Sequence, residues 1–289
     1  LAGAGDEGLC SPCPCRGSMR FVHLSCLRTE FLARRHWTRL TCSICRNEFV
    51  GPAVLELARL GVEWAAADWG PSEVGTYITE NHLGRLLMST TGDLQQAEPH
   101  LRRALCGLEA ALGPQDHETL IAASDLGTLM QRRGLSNEAE PLVRRAWEGS
   151  VLLHGDEDAE TLVFGMSYAT VLRDLGRAEQ AEPLLRKALV GLGKLRGPQH
   201  PDTLAAASYL SSLLLHLRKD LGEAEPLSRR AWEGNLRHFG PEHPRALQAT
   251  VDLGLLLQAR GRPSEGEPLL RDALKGFQQC LGPNHPQTL

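Results

Sequence analysis

The stretch GPEHPRALQATVDLGLLLQARGRPSEGEPLLRDALKGFQQCL, residues 240–281, decides the fold because the same pattern recurs along the chain. Gly-Pro-type openings recur at spacings of 42 or 43 residues, at Gly70, Gly113, Gly155, Gly197, Gly240 and Gly282. A Glu-Pro pair recurs at the same spacing, with its proline at Pro99, Pro141, Pro183, Pro226 and Pro268. Self-similarity at a period of this length is typical of stacked helix pairs. The sequence therefore predicts an all-α solenoid over residues 70–289, with five repeats and the start of a sixth.

Apolar residues inside each repeat have helical spacing, and small residues recur at fixed positions. The first helix carries a small column at Gly84, Gly127, Ala169, Ser211 and Gly254, and a large column at Leu87, Met130, Leu172, Leu214 and Leu257. The second helix carries Ala97, Ala139, Ala181, Ala224 and Gly266, followed by Ala104, Ala146, Ala188, Ala231 and Ala273. We expect these small residues to let neighbouring helices pack closely. The Glu-Pro prolines are expected near the helix start, where amides have no intrahelical acceptor to lose.

The repeated phrases GPxHPxTL and EAEPLxRRAL resemble tetratricopeptide repeats of the kinesin-light-chain type, over residues 70–289. The resemblance implies a right-handed tetratricopeptide-repeat superhelix, whose concave side is lined by first helices and binds peptides or other proteins. Candidate groove residues are Arg85, Gln131, Arg132, Arg173 and Gln258. This mildly basic and polar set suits an acidic or extended peptide. A solvated helix face is the alternative interpretation.

Three other features of the repeats are interpreted structurally. The loop slot before each first helix holds Glu73, Asp116, Asp158, His200, His243 and His285, and this mixture favours helix capping over metal binding. Trp147 and Trp232 occupy a slot that is leucine in the other repeats, and we interpret them as core residues, not as a ligand site. Cys106 and Cys280 are interpreted as small buried hydrophobes.

Most of the cysteines lie near the beginning of the chain, six of the eight within residues 1–45. With one histidine they form a spaced set of potential ligands: Cys13, Cys15, His23, Cys26, Cys42 and Cys45. A dense cluster of this kind in a chain without secretory features argues for metal, not for disulfides. Thiolates and imidazole at these separations can hold tetrahedral zinc in closed structural sites, whose binding energy is also folding energy.

The order of these residues, with CRGSxxxVHxxCL in the middle, resembles the RING-CH zinc finger. In that family, ligand pairs one and three form one zinc site, and pairs two and four form the other. The resemblance assigns Cys13, Cys15, Cys42 and Cys45 to one complete site, and His23 with Cys26 to the third pair. The first CxxC is absent from the sequence, which starts without Met, and we expect it upstream in a longer, N-terminally truncated protein. The alternative is that Cys10 serves as a ligand.

The RING-CH resemblance implies a ubiquitin ligase, whose finger holds a ubiquitin-conjugating enzyme and contributes no nucleophile. Arg46 follows the last ligand, at the place where many RING ligases carry a cation that positions ubiquitin, and Ile44 matches an apolar contact position. A solvated surface charge is the alternative for Arg46. The leading hypothesis is a ligase module whose tetratricopeptide repeats select the substrate protein. The alternative is a non-enzymatic zinc-binding scaffold for protein–protein interaction.

Composition limits the remaining function classes. The net charge of -4 gives no indication of nucleic-acid binding. The sequence has no apolar run long enough for a membrane span and no signal peptide, so a cytoplasmic location is expected. We predict a flexible lead-in over residues 1–9, a zinc-stabilised RING-like finger over 10–49, a capping helix over 50–69, and repeats over 70–289.

Overall fold

The computed structural model describes residues 9–10, 22–34 and 52–280. Two short strands, β1 (Leu9–Cys10) and β2 (Val22–His23), pair antiparallel, with Leu9 opposite His23 and Cys10 opposite Val22. The helices that follow are α1 (Leu24–Arg34), α2 (Pro52–Asp68), α3 (Val74–Leu86), α4 (Leu94–Leu112), α5 (His117–Arg132), α6 (Ser136–His154), α7 (Ala159–Asp174), α8 (Ala178–Leu195), α9 (Pro201–His216), α10 (Leu221–Phe239), α11 (Pro244–Ala259) and α12 (Pro263–Cys280). None of these helices combines the length and apolar character needed to cross a membrane.

The chain divides into two compact units, residues 1–129 and 130–289. In the first unit, α1 packs on α2, and α2 packs on α3. In the second unit each helix from α6 to α12 packs on the next, and the first helices also contact one another, α7 with α9 and α9 with α11. The helix pairs α3–α4, α7–α8, α9–α10 and α11–α12 correspond to four of the five predicted repeats.

The predicted caps form at the starts of the first helices. For example, His200 Nδ1 accepts the backbone N–H of Asp202 at 3.3 Å. Side-chain caps are made by Asp116, Asp158, His200 and His243. Glu73 makes no such hydrogen bond, and His285 lies outside the described residues.

The five Glu-Pro prolines lie deeper in the second helices than predicted. Each is the sixth residue of its helix, as Pro99 is in α4, which begins at Leu94. An amide at that position would normally bond to the carbonyl four residues back, so the explanation by free first-turn amides was wrong. All five prolines and the residues four positions before them are exposed. Water can therefore satisfy the carbonyls that the prolines leave unbonded.

The predicted core columns are confirmed. Leu87, Met130, Leu172, Leu214 and Leu257 are each 1% exposed. The second-helix alanines are buried at every predicted position. In the second unit, one cluster built from α7, α8 and α9, with contributions from α10 and α11, contains Leu172, Ala181, Ala188, Leu214 and Ala224 of these columns.

A further small column, not identified from the sequence, lies in the second helices. It consists of Gly107, Gly149, Gly191, Gly234 and Gly276. At Gly234 the first helix of the pair approaches so closely that a Cβ atom would lie 2.4 Å from Leu204 Cδ1. Equivalent close approaches occur between Gly107 and Tyr77, Gly191 and Leu162, and Gly276 and Leu247. This column therefore sets the distance at which the two helices of a repeat cross.

The glutamate of the Glu-Pro pair forms ion pairs between successive repeats. Glu225 is the clearest case in the second unit, because Arg229 Nε and Arg262 Nη1 both lie 2.9 Å from its Oε1. Arg229 belongs to the same helix, whereas Arg262 lies just before the second helix of the next repeat. Glu182 is paired in the same way with Arg186 and Lys219. The recurring spacing in the motif EAEPLxRRAL therefore serves to join successive repeats through ion pairs.

The first and fourth repeats are 43 residues long, one residue longer than the others, and they accommodate the extra residue in two ways. In the first repeat α3 continues into a π-helical turn, Leu87–Thr91, which ends at the left-handed Gly92. In the fourth repeat two non-glycine residues, Arg218 and Asp220, adopt positive φ angles of 50° and 28°. Repeats without the insertion turn at a single glycine with positive φ, such as Gly176.

Cys106 is exposed, so its interpretation as a buried hydrophobe was wrong. The same slot in other repeats holds Glu148, Val190, Glu233 and Lys275, which are all exposed. The slot therefore faces solvent throughout the array. The side chain of Cys280 lies outside the described residues.

Candidate functional site

The predicted zinc ligands lie at the beginning of the chain. His23 is the last residue of β2, and Cys26 lies in the first turn of α1. Cys13, Cys15, Cys42, Cys45 and Arg46 lie outside the described residues. Within residues 9–10, 22–34 and 52–280, no group of three or more potential ligands is placed to hold a metal. Five thiols and one imidazole are nevertheless the donors that structural zinc prefers, so the predicted set fits the metal chemically.

The junction between α1 and the repeats is well packed in the first unit. Leu27 and Phe31 of α1 are 5% and 3% exposed. The Phe31 ring lies 6.0 Å from that of Trp64 on α2, and Arg28 forms an ion pair with Glu56. Because apolar and ionic contacts both join α1 to α2, the segment that carries Cys26 is held against α2, the helix that precedes the first repeat.

Polar side chains link α3 to α5 within the first unit. Asn81 Nδ2 donates to Asp125 Oδ2 at 2.7 Å, and Arg85 Nε lies 3.7 Å from the same oxygen. Burial raises the pKa of Asp125 to about 6, although Arg85 and the Asn81 hydrogen bond act in the opposite direction. Burial and Arg85 lower the pKa of His82 to about 4, so its imidazole is neutral at physiological pH. Asn81 Oδ1 and His82 Nε2 are buried without a hydrogen-bond partner among the described residues.

The same link recurs between α9 and α11 in the second unit. Ser208 Oγ donates to Asp252 Oδ2 at 2.7 Å, and Gln248 Nε2 donates to Oδ1 at 3.0 Å. Burial raises the pKa of Asp252 above its ordinary value. Both links join residues that are 44 positions apart. Successive first helices are therefore joined by a partly buried carboxyl at matching places in the two units.

Two predicted groove residues, Gln131 and Arg173, meet at a carboxylate that the prediction did not include. Gln131 Nε2 donates to Asp174 Oδ2 at 2.7 Å, and Arg173 Nη2 donates to Asp174 Oδ1 at 2.8 Å. Thr170 Oγ1 donates to Gln131 Oε1 at 3.2 Å. These side chains form one polar cluster at the ends of α5 and α7 within the second unit.

The other three predicted groove residues, Arg85, Arg132 and Gln258, are not part of this cluster. Arg85 belongs to the Asn81–Asp125 link described above. Burial lowers the pKa of Arg132, and the nearby Tyr209 acts in the opposite direction. Gln258 is exposed and packs beside α12, where a Cβ atom at Gly266 would lie 3.2 Å from Gln258 Cγ. The assignment of all five residues to a peptide groove stays a prediction.

The acidic members of these clusters, Asp125, Asp174 and Asp252, were not identified as site residues from the sequence. The sequence feature that could have revealed the links between first helices is a polar residue inside the otherwise apolar stripe of the first helix. Asn81, Ser124 and Ser208 share one slot there, and Asp125 and Asp252 share the next. Buried polar groups need hydrogen-bond partners, so paired polar slots in successive repeats indicate a link between their helices.

The architecture defines a helical-repeat protein with a small N-terminal domain. Tetratricopeptide repeat family models match residues 75–149, 158–235 and 247–287, and the chain belongs to the tetratricopeptide-repeat family. A RING-variant domain model matches residues 2–45. The chain thus has an N-terminal RING-variant domain followed by tetratricopeptide repeats, which confirms the predicted fold class. The predicted boundaries between segments stay predictions.

Solved structures show the same repeat fold. A Podosopora anserina protein described as a kinesin light chain with nearly identical TPR-like repeats is 20% identical, with a TM-score of 0.53, over 70% of this chain and 94% of that one. BtubC (BKLC) from P. vanneervenii is 23% identical, with a TM-score of 0.55, over 78% and 87%. A Rap protein is 12% identical, with a TM-score of 0.57, over 82% and 66%. No curated protein sequence matches the chain.

Proposed function

We propose that the protein is a cytoplasmic RING-type ubiquitin ligase, whose finger recruits a ubiquitin-conjugating enzyme and whose repeats bind the substrate protein. The combination of a RING-variant domain and tetratricopeptide repeats in one chain supports this function. The observation that carries it is the packing of α1, which lies inside the RING-variant match, on α2. A ligase needs its two binding regions at a defined separation, because catalysis by positioning depends on fixed geometry.

Zinc would stabilise the fold of the finger when bound. Cys13, Cys15, Cys42 and Cys45 would hold one ion, and His23 and Cys26 would contribute to the second. A closed four-ligand site leaves no position for a reactive water, so the finger acts by holding its partner. Arg46 would donate hydrogen bonds to ubiquitin and the conjugating enzyme, and so favour the reactive arrangement of the two.

The first helices supply the substrate-binding surface in this proposal. The Arg85 side chain on α3 is exposed, so a ligand that lies along the first helices can reach it. Arg85 and Arg173 add donors for an acidic side chain. Among the structural neighbours, the Rap protein was solved in complex with the Competence and Sporulation Factor.

The test is an in vitro self-ubiquitination assay on the full chain with a panel of ubiquitin-conjugating enzymes. We expect ubiquitin chains with at least one enzyme, and a loss of about tenfold or more for Arg46→Ala, which corresponds to about 1.4 kcal/mol of barrier. Arg271→Ala changes an exposed cation on α12 and is the matched control. If zinc is bound but no enzyme of the panel supports chain formation, the ligase proposal fails and the zinc-binding scaffold replaces it.

The ligand assignment has a separate readout. Zinc content is measured on the purified full chain and on Cys42→Ser. We expect the variant to contain less zinc, because Cys42 belongs to the site whose four ligands are all present in the sequence. Unchanged stoichiometry would show that Cys42 is not a ligand.

A further inference from the structure

A pocket of about 460 Å³ opens between α6, α7 and α8 in the second unit. Its floor is formed by Thr161, Leu162 and Gly165 of α7, which are buried. The walls are apolar and come from Trp147 and Val151 of α6 and from Leu184 of α8. This volume lies in the range of about 300–1,000 Å³ that is typical of ligand sites.

Comparison with the corresponding place in the next repeat, formed by α9 and α10 and followed by α11, explains why the pocket is open. Trp147 and Trp232 occupy the same slot, and each is followed 18 residues later by a residue of the next first helix. There Trp232 Nε1 donates to Thr250 Oγ1 at 3.1 Å. The corresponding residue beside Trp147 is Gly165, whose missing Cβ would lie 3.4 Å from Trp147 Nε1. Trp147 Nε1 therefore has no acceptor within residues 52–280, and the space that a threonine would fill is left empty.

Trp147 is consequently not the core residue that the sequence suggested. Its ring stacks on Tyr168, with centroids 5.4 Å apart, and its other side borders the pocket. The stacking holds the indole in place. A fixed donor beside an apolar floor is the arrangement found in preformed binding sites.

The rim of the pocket carries an exposed apolar residue and an acidic one. Leu152 is 82% exposed, which is the largest value among the exposed large hydrophobic residues of the described part of the chain. Glu148 is exposed and forms no ion pair within the described residues, whereas Asp156 is paired with Lys187. The unbalanced charge at the rim is therefore negative.

We propose that this pocket binds an extended segment of a partner protein that inserts one bulky apolar side chain and carries an adjacent lysine or arginine. The apolar side chain would pack on Leu162 and Leu184, and a backbone carbonyl beside it would accept the Trp147 Nε1–H. The basic residue would pair with Glu148. A polypeptide is the occupant that fits, because Leu152 and Glu148 lie on the rim and only a ligand extending beyond the pocket would cover both. The polar clusters of the first helices contribute no residue to this site.

The test is a selection of random linear peptides, displayed on phage, for binding to the full chain. We expect enriched peptides to share an apolar residue next to Lys or Arg. Gly165→Thr, which copies Thr250, should weaken their binding at least tenfold, or about 1.4 kcal/mol, because its side chain narrows the pocket beside Trp147 and its hydroxyl accepts the Trp147 Nε1–H. Glu148→Lys should remove the preference for the basic neighbour. Arg271→Ala changes an exposed cation on α12, outside the pocket, and should leave binding unchanged.

Leu152→Ser keeps the experiment decisive if Gly165→Thr alters the fold, because a residue that is 82% exposed contributes little to folding. It should also weaken the selected peptides. The proposal is overturned if the peptides bind both variants as tightly as the wild type. It is equally overturned if only the apolar dye 8-anilinonaphthalene-1-sulfonate shows Gly165-dependent binding, or if the chain forms a dimer that Leu152→Ser abolishes. Those results would indicate a small molecule or a second copy as the occupant.

Discussion

Replacing Gly234 with alanine is expected to destabilise the protein, even though alanine is the better helix former. A Cβ atom at this position would lie 2.4, 2.7 and 3.1 Å from Cδ1, Cδ2 and Cγ of Leu204. Optimal carbon–carbon contacts are about 3.5 Å or longer, so the closest pair would have to separate by about 1 Å. Leu204 is 0% exposed and surrounded by core residues, so its whole isopropyl group cannot simply rotate away. Either α9 and α10 must move apart, or Leu204 must leave its packed position.

The expected loss of stability can be compared with the effect of the same substitution at two other glycines, Gly191 and Gly193. Overpacking costs about 1–3 kcal/mol, and the gain in helix propensity offsets about 1 kcal/mol of it. We therefore expect Gly234→Ala to lose up to about 2 kcal/mol of unfolding free energy. Gly191→Ala should leave the unfolding free energy nearly unchanged. Its added Cβ would lie too close only to Leu162 Cδ1, at 2.4 Å, and the next atoms are 3.5 and 3.6 Å away. Gly193→Ala should gain about 0.5–1 kcal/mol, since its Cβ would lie 3.8 Å from Thr203 Cγ2.

Urea denaturation followed by circular dichroism measures all three variants on the full chain. The denaturant slope must be compared with that of the wild type, because repeat arrays can unfold in parts. Gly193→Ala is the matched control, since it makes the same chemical change in a helix of the same class. If Gly234→Ala proves as stable as Gly193→Ala at an unchanged slope, the close approach of α9 and α10 is not a stability constraint.

Three further perturbations test other contacts. Because burial raises the pKa of Asp125 to about 6, the stability given by its protonated form is present below the unfolded value of 3.8 and is lost as the pH rises through 6. Asp125→Asn should therefore gain stability relative to the wild type over that range, by at most about 3 kcal/mol, and an unfolding series that shows a pH-independent difference would contradict this. Glu225→Gln should lose about 1 kcal/mol or less at low salt and almost nothing at high salt; an equal loss in both would rule out an ionic contribution. Phe31→Ala should cost about 3 kcal/mol at the junction of α1 and α2, seen as faster hydrogen exchange in α2, and unchanged exchange would show that the junction does not stabilise it.

The helix pairs and their buried faces could be predicted because they depend on local periodicity. A small residue such as Ala181 recurs at one helical position in each repeat, so its burial follows from the spacing alone. The capping role of His200 was likewise visible, because Asp occupies the same slot in other repeats and both side chains can accept an amide hydrogen bond.

The polar links could not be predicted because they depend on how successive first helices are aligned. Asn81 and Asp125 are 44 residues apart, one or two positions more than the repeat period. That offset appears only when α3 and α5 are placed side by side. The depth of the Glu-Pro prolines was missed for a related reason, because the sequence does not fix where each second helix begins. The pocket beside Trp147 depends on a missing side chain, and Gly165 by itself gives no sign of it.

The repeats thus provide an internal control for function. Positions that set helix spacing, such as Gly234 and Gly276, keep the same residue from repeat to repeat, and so does the Glu-Pro glutamate that joins neighbours through ion pairs. One slot differs between repeats, because it holds Thr250 in one and Gly165 in another. Trp232 donates to Thr250, whereas Trp147, beside Gly165, has no acceptor among the described residues. A change that costs a hydrogen bond and leaves space unfilled does not improve stability. Such positions are therefore where ligand binding, and not packing, best explains the residue that is present.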